Sequence, residues 1–214
     1  KIMPDWKQRR NKLNNKKSVM YYITDFGKSL KPSSDKMMKE FMKDFIQNAS
    51  GYYIYCHNLG AFDGYLLLKD LYGSTDNIKF LMDGQKKFIS IDVISNKIRL
   101  RDSLRILPSS LDSLSKLFDV PIKKGYLDHE KVDKFCLLNN EFKQEVLDYL
   151  EKDLSSLLSI LVKASESLLE NYKIDFTKCY SASSMAMKIY RTNFMKDPVH
   201  ILPPHVDKGV RESY

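Results

Sequence analysis

Residues 57–63 read His-Asn-Leu-Gly-Ala-Phe-Asp, placing an amide, an aromatic ring and a carboxylate in one short polar break. An Asn and an Asp five residues apart, flanking a Phe at the end of an apolar run, suggest a site that grips a polymer and a metal. A second set lies in Tyr149-Leu150-Glu151-Lys152-Asp153. On a helix, positions four apart share a face, so the Tyr149 hydroxyl and the Asp153 carboxylate can point the same way. That pairing suits metal-assisted hydrolysis: the carboxylate holds a divalent cation and the phenol orients the attacking water. By itself the spacing recurs by chance in many helices.

The elements that must position these residues can be read from the hydrophobic pattern. Tyr52–Cys56 is an apolar run leading into the break, and Tyr65–Leu68 is a second one after it, which together predict a buried strand, a loop and a helix over about 62–72. Val19–Thr24 reads as a strand. Ser33 or Ser34 can cap a helix running to about Asn48, with Met37, Met38, Phe41, Met42 and Phe45 on one face as core packing. Ile78–Met82 and Lys86–Ile94 read as a hairpin joined at Asp83-Gly84, followed by a strand at Ile98–Arg101. Pro108 is expected to start a helix that turns Leu111, Leu114, Leu117 and Phe118 inward. Residues 119–140 read as irregular, and a helix from about Glu141 to Glu170 carries Val146, Leu147, Leu150, Leu154, Leu157, Leu158 and Leu161 at helical spacing. Another helix is expected over Ser181–Met195, then an extended segment around Pro198, Pro203 and Pro204. There is no internal repeat.

The bulk properties narrow the class. The 214 residues carry a net charge of +8 and 43% hydrophobic residues, enough for one good-sized globular domain. A basic excess favours a polyanionic partner, most commonly nucleic acid, although a solvated surface has the same charge. Lys7, Arg9, Arg10, Lys12, Lys16 and Lys17 make residues 1–17 a basic loop or arm, equally suited to solvent and to DNA. Cys56, Cys136 and Cys179 form no C-x-x-C pair and read as buried free thiols. No apolar run approaches the ~18 residues of a membrane span, so no membrane partner is expected. His129, His200 and His205 lack ligand spacing; His57 lies inside the heptad, within reach of DNA but not as a ligand.

Taken together, Asn58, Phe62 and Asp63, followed about 90 residues later by Tyr149 and Asp153, resemble the second and third exonuclease motifs of family B DNA polymerases. More specifically they resemble the protein-primed branch of phages and of linear plasmids of fungal and plant mitochondria. Asp102-Ser103-Leu104-Arg105-Ile106-Leu107-Pro108 is similar to that branch's Ser/Thr-Leu-x-x-hydrophobic motif, which contacts single-stranded DNA and the terminal protein. Ser110-Leu111-Asp112-Ser113-Leu114 also fits, but the flanking Asp and Pro favour the first copy. Lys123-Lys124-Gly125 resembles the branch's Lys-Gly step, and Val210–Tyr214 the lead-in to its Tyr-x-Gly-Gly motif. The resemblance runs from about Met20 to Tyr214.

That resemblance implies an α/β, ribonuclease H-like 3′→5′ exonuclease domain: a mixed sheet flanked by helices, over 18–170, with a helical linker region over 171–214 leading toward a polymerase domain. It implies that Asp63 and Asp153 bind metal, Mg²⁺ or Mn²⁺, in a two-cation site. Tyr149 would position the water and Lys124 would offset charge developing on the phosphate. Asn58 and Phe62 would hold an unpaired 3′ end, and Ser103 and Leu104 would line the strand's path. Read from the residues alone, Asn58 could instead cap a turn, Phe62 serve the core, and Ser103 make a strand-end hydrogen bond. The implied partners are DNA, as a single-stranded 3′ end or primer-template, and a terminal priming protein. The implied location is the mitochondrion, with a phage or plasmid host cytoplasm as the alternative.

The sequence also departs from the family. No Asp-x-Glu, the family's first exonuclease motif, stands upstream of Asn58; Asp25-Phe26-Gly27 is the nearest sequence and follows what would be the third strand. No polymerase motif is present. The chain therefore reads as an internal piece of a polymerase, with little nuclease activity of its own. The alternatives are a non-catalytic DNA-binding relic of such a polymerase and a stand-alone nuclease of the same core.

Overall fold

The computed structural model describes residues 19–27, 29–120, 127 and 140–196. The basic arm, Lys124, His129, Cys136 and the Val210–Tyr214 segment lie outside the described residues. At the centre is a four-stranded sheet: β1 (Tyr53–Cys56), β2 (Ile78–Met82), β3 (Phe88–Val93) and β4 (Ile98–Asp102), in the order β1-β4-β3-β2. β1 runs parallel to β4, whereas β3 is antiparallel to both β4 and β2. The sheet is therefore mixed, as expected.

Helices cover both faces. On one side lie α1 (Leu30–Asn48) and α2 (Asp63–Ser74). Met42 and Leu71 there join Phe88, Ile91, Val93, Ile98 and Leu100 in the main core, with Ile54 and Cys56 of β1 packed against it. Side chains alternate along a strand, so Tyr55 faces the other way. It packs on a second core built from Ile106, Ala164, Leu168, Ile174, Phe176 and Cys179. These come from α3 (Ser103–Ile106), from the C-terminal half of the long α5 (Asn140–Tyr172), and from the segment leading to α6 (Ala182–Asn193). Arg101, 2% exposed, pins that segment to the sheet: it pairs with Asp92 and lies over the rings of Tyr53 and Tyr180. A smaller cluster of Leu114, Val120 and Ile160 seats α4 (Leu111–Leu117) on α5.

Four expectations are corrected. Val19–Thr24 is no strand; Ile23–Asp25 form a single 3-10 turn. Its aromatic residues are engaged by helices instead, Tyr21 against Phe41 and Asp44, and Tyr22 beneath the Lys143 ammonium. The first helix starts at Leu30, ahead of the expected Ser33 or Ser34 cap; Pro32 is tolerated because it falls in the first turn, where a missing N–H costs nothing. Pro108 does not open α4; Ser110 does, its hydroxyl accepting from the Ser113 N–H, and Leu117 is 75% exposed because it lies about 100° around the helix from the inward Phe118. The hairpin exists, but its turn takes 83–87: the Asp83 carboxylate accepts from Gln85 and Lys87, and the left-handed residue is Lys86, not Gly84.

Candidate functional site

The parallel register sets Cys56 opposite Asp102, so β1 and β4 end side by side and their following segments meet. This is the carboxyl edge of the parallel pair, where open α/β sheets commonly place their sites. The 57–63 heptad leaves β1 there. Asn58 takes a left-handed φ of 77°, a conformation asparagine tolerates better than most residues, and this gives a local reason for its identity. Its side-chain amide makes no hydrogen bond to the described residues; the turn closes through the backbone, Ala61 N–H to Asn58 O. Leu59 is fully buried as an anchor. Gly60 and Gly64 lie flat on Phe88: a Cβ on Gly60 would stand 2.8 Å from the Phe88 carbonyl, and one on Gly64 2.7 Å from the Phe88 ring. Pressed from below in this way, the loop turns Phe62 outward, 69% exposed, rather than into the core.

The loop is also held from the side. Asp102 Oδ1 accepts from the Asn58 and Leu104 N–H groups, both at 3.0 Å, and Oδ2 accepts from Gly60 N–H at 3.2 Å. Ser103 Oγ donates to the Cys56 carbonyl at 3.0 Å and lies 3.0 Å from His57 Nδ1. His57 Nε2 lies 3.0 Å from the Ser109 carbonyl, which can only accept, so that nitrogen carries a proton. Ser103, expected to line a strand's path, is 1% exposed and sits behind the loop; Leu104 is half-buried beside it. Arg105 pairs with Asp83, tying the hairpin turn to α3.

Asp63 opens α2, a helix start that favours a carboxylate. Its pKa is nevertheless raised, first by the protein packed around it and then by the neighbouring Asp102. Burial first, and then the same two carboxylates, lift the Cys56 thiol to about 12, so this half-buried thiol stays protonated and unreactive. Tyr149 and Asp153 meet on α5 as expected. Burial raises the Tyr149 pKa, and its hydrogen bond to Asp153 raises it further. Asp153 Oδ1 is buried with no hydrogen-bond partner among the described residues. Asp102 acts electrostatically on Asp63, and Asp153 is not among the groups that do. The described interactions thus join Asp63 to Asp102 and Tyr149 to Asp153, as two pairs.

These groups fit a divalent cation in part. The orphaned Asp153 oxygen and the crowded Asp63 carboxyl each gain from a positive neighbour. Among the described residues, however, no three of His, Cys, Asp and Glu are grouped to hold an ion. Among the described residues the donor set is incomplete. Sequence reasoning used Asp102 only to choose between two motif copies and missed its role. The available signal was an Asp at the end of a strand directly before a short helix, a strong N-cap position.

The family described as DNA polymerase type B, organellar and viral, matches residues 43–141 and 137–214. A probable DNA polymerase of Agaricus bitorquis is 26% identical over 77% of this chain and 25% of its own length, and one of Neurospora intermedia 25% identical over 84% and 23%. The DNA polymerase of Streptococcus phage Cp-1 is 28% identical over 81% of this chain and 28% of its own length. The chain thus spans about a quarter of the length of these relatives. Among solved structures, Phi29 DNA polymerase complexed with single-stranded DNA matches with a TM-score of 0.57 at 19% identity, covering 82% of this chain and 32% of the other. The complex with primer-template DNA and incoming nucleotides matches with a TM-score of 0.59. These likenesses and the mixed, helix-flanked sheet agree with the ribonuclease H-like α/β fold expected from the sequence.

Proposed function

The chain belongs to the organellar and viral type B DNA polymerases, and on that premise we propose that it carries part of the 3′→5′ proofreading exonuclease of a protein-primed DNA polymerase. The observation that carries this reading is the Asn58–Asp63 loop. It presents an exposed ring, an amide free of described partners and a carboxylate together, at the carboxyl edge of the β1–β4 pair. An unpaired base can stack on Phe62, which contributes roughly 1–3 kcal/mol per base without regard to sequence. Asn58 supplies a donor and an acceptor beside it. Asp63 and Asp153 are the residues that would hold a divalent cation, Mg²⁺ or Mn²⁺, which would supply charge stabilisation to phosphodiester hydrolysis. Tyr149, hydrogen-bonded to Asp153, orients a water there, and Lys124 serves the phosphate. The net charge of +8 suits a nucleic-acid strand.

The single-stranded 3′ end is the proposed substrate, a terminal protein the proposed partner, and the mitochondrion the proposed location, given the fungal relatives. The 214 residues hold no Asp-x-Glu ahead of Asn58, so this chain alone is expected to bind single strands and hydrolyse them little or not at all. A second reading, a non-catalytic DNA-binding relic, draws on the incomplete set of metal donors among the described residues. The test is binding of a labelled single-stranded oligonucleotide across a salt series, with and without Mn²⁺. Asp63→Ala and Asp153→Ala should weaken the Mn²⁺-dependent part of binding; indifference to both substitutions in Mn²⁺ favours the relic. Robust Mg²⁺- or Mn²⁺-dependent degradation by the chain alone contradicts the fragment reading.

A further inference from the structure

We propose that Asp102 is the positioning residue of the single-strand grip: its carboxylate sets the Asn58–Phe62 loop and the start of α3 in register with each other. The inference rests on the functional reading above. A single oxygen, Oδ1, receives both the Asn58 and the Leu104 N–H, each at 3.0 Å, so one atom fixes the distance between the two segments. The other oxygen receives Gly60, two residues along the same loop, at 3.2 Å. All three bonds go to backbone, and the segments they join carry Asn58, Phe62 and Leu104.

The chemistry matches the demand. Asn58 sits at a φ of 77°, a left-handed conformation that asparagine tolerates, and the bond from its N–H to Asp102 adds to what holds it there. Leu59 and Gly60 hold the loop down on the core beside Phe88, and the Asp102 bonds reach it from the neighbouring strand end. Asp102 is 3% exposed and is itself immobilised at the end of β4, paired in register with β1. A rigid acceptor beside a loop with converging N–H groups is how a fold holds a side chain such as Phe62 out in solvent without letting it collapse. Ser103 extends the device by bonding Cys56 and His57, one residue earlier in the same chain turn.

The experiment uses the 214-residue chain, wild type and as Asp102→Asn, Asp102→Ala, Phe62→Ala and the Phe62→Ala/Asp102→Asn double variant. Binding of a fluorescent oligo-dT is measured by anisotropy, and backbone hydrogen exchange is followed at residues 58, 60 and 104. Asp102→Asn retains one acceptor oxygen and should weaken binding about 5–10-fold, and the double variant should bind no worse than Phe62→Ala. Exchange at Asn58 and Gly60 should rise at least 10-fold, while the β3–β4 ladder stays protected. Asp102→Ala, which loses all three bonds, should do more, and if it fails to fold the asparagine variant still decides. Unchanged exchange at 58 and 60, or effects of Phe62 and Asp102 that multiply, would overturn the inference. If wild type shows no Phe62-dependent binding, the functional reading fails instead, and the exchange result alone decides whether Asp102 positions the loop.

Discussion

The 57–63 loop and the Tyr149–Asp153 face of α5 belong to the same proposed site but are built in opposite ways. The loop is over-determined. Its Asn58 and Gly60 N–H groups are taken up by Asp102, Gly60 and the adjoining Gly64 lie on Phe88, and Leu59 is plugged into the core. What it leaves unspent is side chain: the Phe62 ring and the Asn58 amide. The α5 face has an ordinary helical backbone, yet it buries a carboxylate oxygen without a partner among the described residues. Buried polar groups are normally satisfied, and the exceptions concentrate where a ligand or ion completes them. The loop thus supplies position, and the helix supplies unsatisfied charge.

Substitutions should separate the two regions. Gly60→Ala or Gly64→Ala forces a methyl against Phe88, within 2.8 Å of its carbonyl or 2.7 Å of its ring. Overpacking of this kind costs about 1–3 kcal/mol, a fall of roughly 2–12 °C in Tm by calorimetry. Asp153→Asn should behave the other way. An amide is cheaper to bury than a carboxylate with one oxygen unpartnered among the described residues, so the Tm should hold or rise slightly while Mn²⁺ affinity falls. An Asp153→Asn variant that melts as early as Gly60→Ala would erase the distinction.

A pH series sharpens it further. The folded-state pKa of Asp63 is raised above its ordinary value of 3.8, so the protonated form favours the fold. Its contribution to stability is fully present below the unfolded pKa and is lost as pH rises through the folded one. At pH 7 the ionised Asp63 therefore works against the fold. Asp63→Asn should be slightly more stable than wild type at pH 7, with the gap closing as the pH falls toward 3.8. Tyr149→Phe removes a half-buried hydroxyl together with its bond to Asp153 and should cost about 0.5–1.5 kcal/mol in denaturant unfolding.

Much of this was legible in the sequence, for physical reasons that can be named. The apolar run before His57 and the long Leu-rich period of α5 gave β1 and α5 nearly to the residue, because length and periodicity mark an element even where Leu150, Leu154 and Leu158 of its apolar stripe end up exposed. Asn58, Phe62 and Asp63 stood out because amide, ring and carboxylate interrupt a core pattern. Val19–Thr24 misled because β-branched and aromatic residues serve a helix surface as readily as a strand. Leu117 misled because a two-turn helix gives too few residues to locate its inner face. Asp102 was out of reach as a loop clamp. Its partners are backbone N–H groups 42 and 44 residues away, and backbone leaves no mark in side-chain spacing.

On the proposed reading, the exposed Phe62 takes an unpaired base. The direct measurement is affinity for a short single-stranded oligonucleotide against a blunt duplex of the same length, for wild type and Phe62→Ala at fixed salt. Wild type should prefer the single strand, and Phe62→Ala should weaken single-strand binding about 5–150-fold while leaving the duplex unaffected. Equal affinity for both forms, unchanged by removing the ring, would contradict it and leave only the charge of +8 to explain binding.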